Sequence, residues 1–526
     1  MTQPADRRTG IRLLKKGRRG LLRAVFSRTG LILILLLLNF LLLIMLFGSL
    51  RSFLPHYVSI SALFSTVMAL YMLNSRQDPS AKLTWIIVIM VLPAFGALFY
   101  LYTRSDIGHR RLCRRFAEVS EASHDSIAQD PAVEAQFREA APDAVGLAHY
   151  VNQTGRFPVY AHTDVQYFPL GDDMFPVLLQ ELEKAERFIF LEYFIVDEGR
   201  MWGSVLEILA RKAAEGVTVR MIYDGTCEFF TLPRDYPQRL ARLGIECRPF
   251  APITPFLSTH YNYRDHRKIL VIDGRVAFTG GVNLADEYIN EYKRFGHWKD
   301  TAVCLRGAAA QSFTLMFLQM WHMGSKTLPE AEFLQLPDAV SGEENGFVMP
   351  YADCPLDEEH VGELVYMDLL NRARDYVYIM TPYLILDGEL ETALKFAAER
   401  GVDVRLLLPG IPDKKLVFTL AKTHYASLLK SGVKIYEYRP GFVHAKAFVC
   451  DDREAVVGTI NLDYRSLYHH FECAAWMRDV SCIPAIKADF LETQSFCREV
   501  SADSVHRIQW PVKLAGAVMK VIAPLL

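Results

Sequence analysis

The apolar residues change rhythm near position 103. Before it they run in blocks. Residues 31–50, "LILILLLLNFLLLIMLFGSL", hold twenty positions without a charge, the length that crosses a bilayer as a helix. Residues 53–73 are apolar with Pro55 and His56 near their start, and 83–102 are again uncharged, with Pro93 and Gly96 inside. These runs predict a transmembrane region over 31–103. Residues 104–155 form a mixed, mildly acidic connector without a sustained apolar period. Beyond it, short β-branched runs alternate with helical stretches. "AAEGVTVRMIYD" at 213–224 and "AAERGVDVRLLLP" at 397–409 each read as a helix end, a glycine and a buried strand. Such alternation predicts an α/β fold with a mostly parallel sheet covered by helices. The last segment, 501–526, ends in "WPVKLAGAVMKVIAPLL", an amphipathic stretch suited to an interfacial helix or a packing helix.

Within the α/β part the pattern occurs twice. "HRKILVID" at 266–273 is matched by "HAKAFVCD" at 444–451, so His266 and His444, Lys268 and Lys446, and Asp273 and Asp451 all lie 178 positions apart. The offset continues from "GGVN" (Gly280 to Asn283) to "GTIN" (Gly458 to Asn461). Upstream, "FIFLEYFIVD" ends at Asp197 and "VYIMTPYLILD" at Asp387. Residues 156–325 and 345–500 therefore read as two copies of one domain.

Charge changes the picture at the front of the chain. The whole has a net charge of −2, which gives no overall basic field for nucleic acid. Yet the first 28 residues carry nine Lys/Arg against the single acid Asp6. Ahead of a membrane segment, residues 1–30 read as a basic leader suited to anionic lipid headgroups. Arginines are again dense after the third apolar run, from Arg104 to Arg115. The positive-inside rule places both basic ends in the cytoplasm, which needs an even number of crossings. Two full spans with one re-entrant or interfacial run satisfy it. Nine cysteines, an odd count without a C-x-x-C pair, argue against a disulfide framework and a structural zinc site, and fit a reducing compartment.

The repeat carries chemistry. On a strand, residues i and i+2 share a face, so His266 projects with Lys268 and His444 with Lys446. A pseudo-twofold axis bringing the copies together would set two imidazoles and two ammonium groups around one cavity. Two lysines suit a phosphodiester, and two histidines supply a nucleophile and a proton carrier. Asn283 and Asn461 would add neutral donors to phosphate oxygens. Asp273 and Asp451 are expected to fix a histidine tautomer. Nothing in the pattern calls for a metal, and no G-x-x-x-x-G-K-[ST] loop implies a nucleotide.

The paired H-x-K-x-x-x-x-D motifs, each followed by Gly and Asn, resemble the phospholipase D superfamily. "NYRDHRKILVIDG", "GGVNLADEY", "WKDTAV", "GVKIYEYRPGFVHAK", "GTINLDYRS", the closing "APLL" and "LTWIIVIMVLPAFGALFY" are similar to the bacterial cardiolipin synthases, from about residue 70 to the end. "SLYHHFE" at 466–472 departs from that pattern, which has Asn where His470 stands, while Glu472 is kept. The resemblance implies two tandem phospholipase D-like α/β sandwich domains related by a pseudo-twofold axis. It implies transfer of a phosphatidyl group from one phosphatidylglycerol to another through a phosphatidyl-histidine, without a cofactor. His266 would be the nucleophile, and His444 the general acid and then the base. Lys268 and Lys446 would bind the phosphate, supported by Gly280, Gly458 and Glu472. The setting implied is a multi-pass protein of the bacterial inner membrane with cytoplasmic catalytic domains. A phospholipase D hydrolase or a phosphatidylserine synthase would share the motifs. A nuclease fits less well without a basic, aromatic groove, and intact motifs argue against a non-catalytic membrane adaptor.

Overall fold

The computed structural model describes residues 54–75, 79–92, 107–252, 263–325, 327–335, 345–357, 359–507 and 510–525, with a few single positions between them. The basic leader and, Met45 apart, the run 31–50 lie outside the described residues. What is described falls into two compact units.

The smaller unit includes the helices Leu54–Leu73 and Pro79–Val91. They pack through Met68, Met72, Trp85 and Ile89. Among the described residues no helix is long and apolar enough to cross a membrane. The run 83–102 is not one continuous helix. The helix over its first part ends at Val91, just ahead of Pro93, because proline disfavours helical geometry in the residue before it.

The larger unit holds two sheets with one strand order. The first runs Asp164–Phe168, Ala302–Arg306, Val276–Gly280, Lys268–Ile272, Phe188–Tyr193, Thr218–Asp224, Glu246–Phe250. The second repeats it as Phe347–Asp353, His470–Arg478, Glu454–Gly458, Ala447–Cys450, Tyr376–Met380, Asp403–Pro409, Lys434–Tyr438, with short edge strands Tyr160–Ala161 and Cys497–Glu499 added. The 178-residue sequence repeat is thus a repeat of topology. Only the last three of the seven common strands are parallel in each sheet. The expectation of a mostly parallel sheet is corrected: the other pairings are antiparallel.

The reason is local. Asp273 (φ +54°) and Gly274 (φ +70°) form a left-handed turn closed by the Arg275 N–H on the Ile272 carbonyl at 3.0 Å. Asp451 (φ +51°) and Asp452 (φ +56°) do the same before Arg453. Two consecutive positive φ angles make the tight turn that matches the twist of a hairpin. The strand carrying His and Lys therefore folds straight back on itself.

The helix Ala310–Met323 is buried on every side. It packs on the Lys268–Ile272 and Phe188–Tyr193 strands of one sheet and on Phe347–Asp353 of the other. A helix apolar all round marks a core between two layers. Two short parallel ladders also tie the copies together: His297–Lys299 with Gly441–Val443, and Arg264–Asp265 with the start of His470–Arg478.

Candidate active site

Those two ladders build the site. The His266 N–H donates to the Phe471 carbonyl at 2.9 Å, and the His444 N–H to the Lys299 carbonyl at 2.7 Å. Each histidine is thus held by backbone of the other copy. His266, Lys268, His444 and Lys446 are all buried. Each lysine ammonium folds back onto the carbonyl of the histidine two residues earlier. Lys446 Nζ also lies 2.9 Å from His444 Nδ1.

Each imidazole takes a carboxylate from the opposite copy. His266 Nδ1 lies 2.8 and 2.9 Å from the two Glu472 oxygens. His444 Nδ1 lies 2.6 Å from Asp300 Oδ2. Such a pair sets the ring's tautomer and steadies its charged form. Asp300 escaped the sequence reading. Its counterpart is Glu472, since Ala302 opposite Gly280 matches Ala474 opposite Gly458. That relation has an offset of 172, six short of the motif offset.

The expected role of Asp273 and Asp451 is corrected. Asp273 accepts the backbone N–H groups of Glu186, Arg187 and Phe188 at 2.7–2.9 Å. Asp451 accepts those of Arg374, Asp375 and Tyr376 at 2.7–3.0 Å. Both sit at the hairpin end of their strand and pin the start of the neighbouring one. Four residues lie between each of them and its motif lysine, at the far end of the strand from the histidine, so they reach neither imidazole.

Asn283 is committed as well. Its Oδ1 accepts from the Ile195 N–H at 3.0 Å, and its Nδ2 donates to the Tyr288 hydroxyl at 2.9 Å. One amide N–H remains for a phosphate. Asn461 is buried, and its Oδ1 has no partner among the described residues. The glycines at the strand ends serve close approach: a Cβ on Gly280 would stand 2.3 Å from the Thr301 carbonyl oxygen. A Cβ on Gly281 would stand 1.9 Å from Asp300 Oδ1, and one on Gly458 2.3 Å from the Ala474 Cβ. At the position equivalent to Gly281, Thr459 instead donates its hydroxyl to Glu472.

Burial is the main force on every titratable group here. It drives His266 well below the usual imidazole range, helped by Lys268 and His470. It takes His444 down to about 4, helped by Lys446 and opposed by Asp300. Lys268 falls to about 8 and Lys446 to about 7. The carboxylates diverge. Glu472 is pushed well up by burial, with Lys268 opposing. Asp300 meets the same desolvation, but His444 and Lys446 outweigh it and hold Asp300 low.

His470 stacks beside His266, ring centroids 5.1 Å apart, with Nδ1 3.5 Å from Glu472. His266, His470 and Glu472 place three donor atoms within 4.8 Å of one another, a set that a divalent ion accepts and that the sequence reading did not expect. Arg465, His469, Lys268 and Arg264 all press on His470 electrostatically, which favours an anion there over a cation. The other ring is walled differently: Tyr288 and Trp298 lie 5.4 Å from His444, and Phe442 5.9 Å.

The arrangement suits attack of an imidazole on a phosphodiester clamped by two ammonium groups. Comparison with known proteins points the same way. The profile described as "Cardiolipin synthase, PLD-like domain" matches residues 178–321 and 366–493, and "Phospholipase_D-nuclease N-terminal" matches 58–104. An uncharacterised protein of Streptococcus mutans serotype c is 54% identical over 459 residues, covering 87% of this chain and 99% of that one. Cardiolipin synthase 2 of Bacillus anthracis is 35% identical over 453 residues, covering 86% of this chain and 88% of its own. Among solved structures, the phosphatidylserine synthase of Haemophilus influenzae Rd KW20 superposes with a TM-score of 0.57 at 12% identity, over 72% of this chain and 99% of that one. That likeness speaks for the fold. By profile and by identity over most of its length, the chain belongs to the cardiolipin synthase family of phospholipase D-like enzymes.

Proposed function

We propose that this protein joins two phosphatidylglycerol molecules into cardiolipin and glycerol. The observation that carries the reading is the exchange of carboxylates between copies: each half's histidine is held by the other half's acid, so the two dyads work as one site. The Nε2 of His266 attacks phosphorus. A P–N bond forms, the P–O bond to the glycerol headgroup breaks, and His444 gives its proton to the departing oxygen. The terminal hydroxyl of a second phosphatidylglycerol then attacks, passes its proton to His444, and the P–N bond breaks. Lys268 and Lys446 hold the phosphate, with Asn283 and Asn461 beside it.

The unequal acids support this order. Asp300, held low, is a firm anion that stabilises the imidazolium a proton carrier must become. Glu472, pushed up, does less to charge His266 and leaves it a neutral nucleophile. Burial of the dyads and the aromatic wall at His444 disfavour water as the acceptor, and so disfavour plain hydrolysis.

The protein is membrane-associated in this reading, with 156–325 and 345–500 as the two catalytic lobes and 104–155 as connector. Its multi-pass topology, with cytoplasmic lobes in the bacterial inner membrane, rests on the apolar runs and flanking arginines. A reporter fused at residue 120 and active only outside the cytoplasm would reverse that side. The chemistry is tested by incubating the purified protein in micelles of phosphatidylglycerol alone. Cardiolipin and glycerol are expected in equal amounts; phosphatidic acid alone would mean hydrolysis. Acid-quenched His266→Ala enzyme should carry no phosphatidyl adduct. Loss of the adduct from His444→Ala instead, with His266→Ala retaining it, would exchange the two roles.

A further inference from the structure

The two copies differ at one corner. At the ends of the first copy's parallel strands, Arg264 lies two residues before His266. Its guanidinium lies 3.5 Å from Asp224 and donates to the Ala251 carbonyl at 3.0 Å. Both charges are buried, and the corner is filled. In the second copy the equivalents of Arg264 and Asp224 are Phe442 and Pro409, at offsets of 178 and, from the strand alignment, 185. There the corner opens to the surface as a shallow recess lined by Tyr383, Leu384, Asp413, Lys414, Phe418 and Phe442.

The recess has polar and apolar walls. The Tyr383 hydroxyl donates to Asp413 Oδ2 at 2.6 Å, which leaves Oδ1 for a second donor. Lys414 Nζ lies 3.4 Å from the Tyr383 hydroxyl and 3.9 Å from Asp413, and its side chain is 63% exposed. The recess adjoins the reacting groups through Phe442, whose ring is 5.9 Å from His444. Asp413 acts electrostatically on Tyr288, which meets the same histidine edge to face. Lys414 acts on Asp463, which in turn acts on Lys446. The C-terminal ends of parallel strands are also where α/β sheets take their ligands.

We propose that this recess is the subsite for the headgroup of the incoming lipid: Lys414 pairs with its phosphodiester, Asp413 accepts from the secondary hydroxyl of its glycerol, and the terminal hydroxyl is thereby presented to His444. The proposal rests on the transfer reading above and names the acceptor's place within it. The placement obeys in-line displacement. The new alcohol must enter opposite the His266–phosphorus bond, on the side where His444 takes its proton. The other corner is already occupied by the Arg264–Asp224 pair.

The test compares two acceptors. Purified enzyme in micelles is given phosphatidylglycerol, either alone or with isotopically labelled glycerol. The first measures cardiolipin; the second measures exchange of label into phosphatidylglycerol, whose acceptor carries no phosphate. Lys414→Gln should lower the ratio of cardiolipin formed to glycerol exchanged by about tenfold, as one partly exposed charge-assisted contact permits, and Lys414→Arg should restore most of it. Asp413→Asn should lower use of glycerol relative to 1-propanol, which lacks the secondary hydroxyl, by about tenfold. An unchanged ratio in both variants overturns the subsite, whether their activity is intact or falls equally with every acceptor. If wild-type enzyme yields only phosphatidic acid, the transfer reading itself fails, and that shows in the wild-type arm before any variant is compared.

Discussion

The His266 end and the His444 end come from one repeated strand and keep its histidine, lysine and aspartate, yet the side chains around the two histidines have diverged. At the His266 end the neighbours are Arg264, Arg465 and His470, and Arg465 Nε donates to His470 Nε2 at 3.2 Å. At the His444 end the same positions hold Phe442, Glu287 and Trp298, by the offsets of 178 and 172. One end is cationic and filled; the other is aromatic and opens into a recess. Duplication supplied two equal dyads, and substitution around them gave the site a direction. A neutral polyol headgroup belongs with aromatic and acidic walls, and a nucleophile benefits from an enclosure that keeps it uncharged and dry.

The largest effect should come from the two orienting acids. Asp300→Asn leaves His444 with no anion to stabilise its charged form. Turnover should fall by about 10³–10⁴-fold, the scale seen when a buried carboxylate behind a catalytic histidine is neutralised. Glu472→Gln should cost less, about 10²-fold, since Glu472 is already pushed towards its neutral form and is shared between Thr459 and two imidazoles. Steady-state cardiolipin formation by both variants checks this. A larger loss in Glu472→Gln would mean that His266 is the proton carrier and that the direction of the site is reversed.

Asp273 and Asp451 test the opposite claim, that some of the repeat stayed symmetric. Each accepts three backbone N–H groups. Replacing either by Ala leaves those donors without their acceptor at about 1 kcal/mol or more apiece. Unfolding in urea should show each variant destabilised by about 2–4 kcal/mol, equally in both copies, with the folded fraction still forming the phosphatidyl adduct. Loss of the adduct from a stably folded Asp273→Ala enzyme would restore this residue to the chemistry.

Much of this was legible in the chain. The six motif residues and the two copies follow from a repeat that survives at fixed offset, because a strand with a catalytic face tolerates no slip in register. Asp300 was not legible, because the offset changes by six between the Asn and the next strand and a search in register sets it against Arg478. The antiparallel pairings were missed although Asp273–Gly274 is a hairpin signal, because the apolar runs on either side also suit buried parallel strands. The recess had no signal of its own. It exists because Phe442 and Pro409 fail to fill what Arg264 and Asp224 fill, and only comparison of the two folded corners reveals that.

The smallest effect separates the two lysines. Burial takes Lys446 to about 7 and Lys268 to about 8. Below pH 7 both ammonium groups are charged and attract the phosphodiester. As pH rises through these values in the free enzyme, Lys446 loses its proton first and Lys268 next, so kcat/KM should fall. The fall should reach about tenfold by pH 8 and steepen to pH 9, through KM more than kcat, because bound phosphate restores both protons. His444 must carry a proton to release glycerol, and its value near 4 makes that form scarcer as pH rises, so it adds a steady decline in the same direction and no break of its own between 7 and 9. Lys446→Arg, whose guanidinium keeps its charge, should remove the first break and leave only the one near 8. A wild-type profile flat to pH 9 would mean that the ammonium pair is less buried in the working enzyme. A break near 7 that survives Lys446→Arg would assign it to the His266 end.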